Sequence, residues 1–127
     1  MSSETEPMPT KRPLTRLRDI LENGSAILRY TQGMSLAVYR QDSLHRDACE
    51  RCLSRISEAA IKLGAVAEEL FPHHDWRGIR DIGNILRHHY PDVLDDMIWL
   101  TITKHVPPLL IELETFLAKY PDDQETL

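Results

Sequence analysis

The sequence is poor in the features that build sheets, disulfide scaffolds and membrane spans. Only five of its 127 residues are glycine, and no stretch reads as a convincing strand, which speaks against an all-β fold. Cysteine is limited to Cys49 and Cys52. Their C-x-x-C lies inside a helical pattern with no strand before it, unlike a thioredoxin-type redox site. Three residues apart on a helix, the two share a face and read as small core residues. No second cysteine pair exists, and His45 is the one histidine near them, so no metal site and no cofactor are expected. No apolar run is long enough to span a bilayer, and no leader or lipidation motif is present. A cytoplasmic protein without a membrane partner is the expectation. A formal net charge of −5 argues against non-specific coating of nucleic acid, so any polyanion contact must be local.

What is present is helical periodicity on a chain long enough for one domain with a real core. Residues 1–13 carry three prolines among small and polar residues and read as a mobile tail. Leu14, Leu17, Ile20, Leu21, Ile27 and Leu28 then recur at helical spacing. The stripe stays in phase through Asn23-Gly24, so one helix is expected, ending at Thr31-Gln32-Gly33. A short apolar piece follows over 34–40. Asp42 or Ser43 is placed to cap a long helix whose buried stripe is Ala48, Cys52, Leu53, Ile56, Ala59, Ala60 and Leu63. After a short helix near 65–70 and a loop at Phe71-Pro72-His73-His74, a further helix begins behind Asp75. The last long segment carries Met97, Ile98, Ile102, Val106, Leu109, Leu110, Leu113, Phe116 and Leu117, and Pro107-Pro108 must bend or break it. The fold class is therefore all-α, an antiparallel bundle of four to five helices over 14–118, with a frayed tail at 119–127.

The organising stretch is DWRGIRDIGNILRHHYPD, from Asp75 to Asp92. On a helix at 100° per residue, Trp76, Ile79, Ile82, Ile85 and Leu86 share one side. Arg77, Arg80, Asn84, Arg87 and His88 fall roughly opposite, and Pro91 stops the pattern after His89 and Tyr90. Guanidiniums beside an imidazole suit binding, and cleaving, a phosphodiester; the alternative is the solvated face of an ordinary amphipathic helix. Gly83 lies between the two sides, where a glycine suggests close approach of another helix or of a ligand.

LRDIL, RDACERCLSRISEAAIKL, DWRGIR, NILRHHY and MIWLTITKHVPPLLIELE occur in this order. Together they resemble the HepT-like ribonuclease toxins of the HEPN superfamily, over nearly everything from Leu14 to Leu117. The resemblance implies an all-α HEPN-like fold and metal-independent RNA cleavage at a site formed across a homodimer or higher even oligomer. It also implies a nucleotidyltransferase antitoxin as partner. The family motif is an arginine, four residues, a histidine, one residue and a tyrosine. His88 and Tyr90 match its last two positions, while Gly83 stands where the arginine belongs. The implied roles are proton transfer for His88 and adenylate acceptance for Tyr90. Arg87 or Arg80 is expected to replace the missing arginine, with Asn84 and Arg77 as further substrate contacts. The competing expectation is a module of the same fold that binds RNA or nucleotide, or partners a nucleotidyltransferase, without cleaving.

Overall fold

The computed structural model describes residues 10–88 and 91–127. Among the described residues every regular element is helical: α1 Pro13–Thr31, α2 Leu36–Gln41, α3 Ser43–Leu63, α4 Ala65–Leu70, α5 Trp76–His88, α6 Pro91–Leu100 and α7 Val106–Leu117, with a π-helical stretch at Thr101–His105 between the last two. Four long rods result, since α6, the π stretch and α7 follow one another without a break. The expected all-α bundle is the architecture found.

The start signals act where the sequence places them. Pro13 opens α1 in the first turn, where its missing N–H has no intrahelical partner to lose. Ser35 caps α2 by accepting from the Val38 N–H, and Asp42 caps α3 by accepting from the His45 N–H at 3.1 Å. That backbone bond, with a second from the His45 side chain, holds the Asp42 carboxyl below its ordinary range. Gly64 ends α3 at φ +57°, in the left-handed region that glycine enters freely.

The α1 helix packs on α3 and α7, and α3 packs on α5. The buried side chains include Leu14, Leu17, Ile20 and Ile27 from α1, Leu53, Ile56 and Leu63 from α3, Trp76 and Ile82 from α5, and Ile98, Ile102 and Leu113 from the last rod. Gly24 keeps α1 unbroken and has a packing reason of its own: a methyl group there would lie 2.6 Å from a Leu110 methyl. Cys49 and Cys52 are buried and unbonded to each other. Burial pushes the Cys49 thiol up to about 12 and raises Cys52 as well, so neither is a reactive thiolate at neutral pH.

Two places depart from the expected layout. Pro107 and Pro108 cannot donate to the carbonyls of Thr103 and Lys104, and the chain passes through the wide π turn just before them. The residues after Leu117 are tied down rather than frayed. Arg18 donates to the carbonyls of Gln124 at 2.6 Å and Pro121 at 2.8 Å, and the Leu14 N–H donates to Glu125 at 3.0 Å.

Candidate phosphate-binding site on the α5 helix

The α5 helix is anchored at its start. Asp75 accepts from the Gly78 N–H at 3.0 Å, capping the first turn. Trp76 is 1% exposed, and its indole N–H donates to the Phe71 carbonyl at 2.8 Å. With Ile79, Ile82 and Leu86 it forms the buried side that periodicity indicates; Ile85 is half-buried.

The opposite side splits into two parts. Arg77, Asn84, Arg87 and His88 are exposed. Arg80 is half-buried and occupied. It makes a bidentate pair with Glu68, at 2.8 and 2.6 Å, and also donates to the carbonyls of Ala60 at 3.1 Å and Gly64 at 2.8 Å. Those carbonyls belong to the last turn of α3 and the residue after it; each also accepts one backbone N–H, from Gly64 at 3.3 Å and from Ala67 at 3.2 Å, and the guanidinium takes up their second acceptor site. The same pair holds the Glu68 carboxyl below its usual range and raises Arg80. Arg80 thus caps α3 and clamps α4, with its fork turned away from Asn84 and His88.

Gly83 is buried at the crossing of α5 and α3. The Ser57 hydroxyl, itself buried, donates to the Arg80 carbonyl at 2.7 Å and accepts from the Gly83 N–H at 3.2 Å. A methyl group on Gly83 would stand 2.8 Å from Ser57 Oγ and 3.3 Å from its Cβ. The close approach inferred from this glycine is therefore made by a helix of the same chain. The same hypothetical methyl would be 3.6 Å from Nη1 of Arg87. Arg87 folds back one turn, so its guanidinium lies over the spot from which a side chain at position 83 would depart.

Two residues went unnoticed in the sequence. Ser57 sits mid-helix among apolar neighbours, where the one available signal was a small hydroxyl within a buried stripe. Asp81 is exposed and seven residues before His88, hence on nearly the same side of α5, and adds a carboxylate to a face read as cationic. Tyr90, the expected modification site, lies outside the described residues, as does His89. Among the described residues no cluster of histidine, cysteine, aspartate or glutamate is arranged to hold a metal ion, and no helix is long and apolar enough to cross a membrane.

Known proteins resemble this chain over most of its length. The curated protein "Putative RNase MJ0127" of Methanocaldococcus jannaschii is 29% identical over 118 residues, covering 93% of this chain and 98% of the relative. "Putative RNase TTE0752" of Caldanaerobacter subterraneus subsp. tengcongensis is 30% identical over 112 residues, covering 88% and 98%. No solved structure matches the chain. Residues 20–116, which take in all of α5, match the family described as "HepT-like: Ribonuclease HepT-like". That match spans most of the chain and accords with the all-α HEPN-like bundle, and the chain belongs to the HepT-like ribonuclease family.

Proposed function

We propose that this protein is a metal-independent endoribonuclease whose reacting groups are His88 and Arg87. The observation that carries the reading is the Arg87 guanidinium lying over Gly83, with Nη1 3.6 Å from where a side chain at that position would begin. A cation is thereby returned to the neighbourhood of the missing motif arginine, beside an exposed imidazole one residue further on.

The chemistry follows from the residue types. Histidine changes charge near neutral pH and can take the proton of a ribose 2′-hydroxyl. The 2′-oxygen then attacks the adjacent phosphorus, and the bond from phosphorus to the 5′-oxygen breaks. The imidazolium returns its proton to that leaving oxygen, giving a 2′,3′-cyclic phosphate and a free 5′-hydroxyl. Charge builds on the two non-bridging oxygens meanwhile, and the planar Arg87 fork can pair with both. Asn84 and Arg77, one and three turns back along α5, extend the donor face toward neighbouring nucleotides. Arg80 acts on the fold of this site rather than on phosphate.

The site is proposed to form between two copies of the chain. A cleft of about 300 Å³ beside the polar face has an apolar floor of Ile79, Ile82, Ile85, Met97 and Leu100, rimmed by Asp75, Asp81, Thr101 and His105, and Leu100 is 51% exposed. An open cleft with an apolar floor and a polar rim at that position suits a second copy of α5 and α6. The biological setting proposed is a toxin held in check by a nucleotidyltransferase antitoxin that adenylylates Tyr90. Added phosphate there would repel the anionic substrate.

The test is RNA cleavage in the presence of a chelator by wild type, His88→Ala and Arg87→Ala. Cleavage should be lost in both variants, and the wild-type products should end in cyclic phosphate. Undiminished cleavage by His88→Ala would sink the assignment. Gly83 and the Asp81 carboxylate favour a second reading, a module that binds RNA without cutting it. Wild-type binding without turnover would select it.

A further inference from the structure

Between α1 and α3, away from the cleft beside α5, lies a groove of about 410 Å³ lined by Arg16, Asp19, Asn23, Arg51, Ser54, Arg55, Glu58, Ala59 and Lys62. We propose that this groove is a second phosphate-binding subsite that seats the backbone of the same RNA that reaches His88; it rests on the ribonuclease reading above. Four cations face two carboxylates, a local excess in a chain whose formal net charge is −5. Both carboxylates are already engaged, Asp19 with Arg16 at 3.4 Å and Glu58 with Lys62 at 3.5 Å. Arg51 and Arg55, one turn apart and exposed, have no hydrogen-bond or ion-pair partner among the described residues. They present two forks on one ridge, with the neutral donors Asn23 and Ser54 between the helices. Such a donor set matches phosphodiester oxygens, which accept from cations and neutral groups alike.

Continuity with the α5 site points to RNA rather than to an acidic protein segment. Ser54 stands one turn before Ser57, and Ser57 touches Gly83 beneath the Arg87 guanidinium. The groove lies on the side of α3 that meets α1, and the Ser57–Gly83 crossing lies on the side that meets α5, so both sites share one helix and a strand passing across it would meet both.

The experiment pairs binding with turnover. Affinity for a fluorescently labelled oligouridylate is measured against salt in His88→Ala protein, with and without Arg51→Ala/Arg55→Ala. The groove variant should bind about tenfold more weakly at low salt, with a log–log slope shallower by about 1.4 for two lost contacts to a single strand. Arg51→Lys/Arg55→Lys should keep most of the slope. In the active enzyme the alanine pair should raise KM and leave kcat close to wild type. An unchanged slope, or an equal loss in the control Lys104→Ala/Lys119→Ala, whose lysines are exposed and line no part of the groove, overturns the subsite. Because binding is read in the His88→Ala protein, a wild type that never cleaves RNA would refute the ribonuclease reading without deciding the groove.

Discussion

The two arginines of α5 at positions 80 and 87 differ in fate although they share a helix, a residue type and two turns of spacing. Arg80 lies beside the end of α3, where two carbonyls have acceptor capacity to spare and Glu68 supplies a counter-charge, so all three of its guanidinium nitrogens are engaged. Arg87 lies past the Ser57–Gly83 crossing and stays exposed. What decides is the surroundings: an arginine beside a carboxylate and the carbonyls of a helix end becomes part of the scaffold, and one beside a glycine remains available to a ligand. Spacing along one helix registers neither circumstance.

The contrast can be broken by substitution. His88→Ala should lower kcat by about 10²–10⁴-fold, as loss of a proton-transfer group does, with the melting temperature unmoved. Arg87→Ala should cost about 10²-fold or more in kcat through lost charge stabilisation, again at constant stability. Arg80→Ala should reverse that pattern. Its loss removes the pair with Glu68 and the side-chain bonds to the Ala60 and Gly64 carbonyls, and should lower stability by about 1–2 kcal/mol, while kcat per folded molecule holds. Equal loss of kcat in Arg80→Ala and Arg87→Ala would erase the distinction between them.

Smaller effects sharpen it. Gly83→Ala places a methyl against Ser57 and should destabilise by about 1–3 kcal/mol, the effect shrinking in a Ser57→Gly background; chemical denaturation of the four proteins measures it. Smallest is the acid limb. Glu68 has its folded-state carboxyl held below the ordinary range by Arg80, so its contribution is present above that range and is lost as pH falls through the folded value. Glu68→Gln should therefore lose less stability than wild type between about pH 5 and 3. Partial exposure of the pair keeps this difference small.

Much of the fold was legible because it rests on local rules. Periodicity gave the buried sides of α1, α3 and α5, Asp42 and Asp75 gave two helix starts, and the double proline marked the π turn. Contacts between residues distant in the chain were not legible. Nothing near Arg18 in sequence announces that its guanidinium holds the carbonyls of Pro121 and Gln124. The same holds for Arg80, whose partners on α3 and α4 lie 12 to 20 positions away. At the proposed site, a helical wheel found the exposed set Arg77, Asn84, Arg87 and His88, yet it grouped Arg80 with them and passed over Asp81.

The lock between Ser57 and Gly83 also bears on how the chain can change over generations. An arginine introduced at position 83 by one substitution would arrive with its Cβ pressed into a buried hydroxyl and would displace the guanidinium already standing there. Acquisition of the full family motif thus needs a smaller residue at position 57 first, which by itself forfeits a bridge between two helices. Two individually unfavourable steps act as a ratchet, and they would keep such a lineage committed to Arg87.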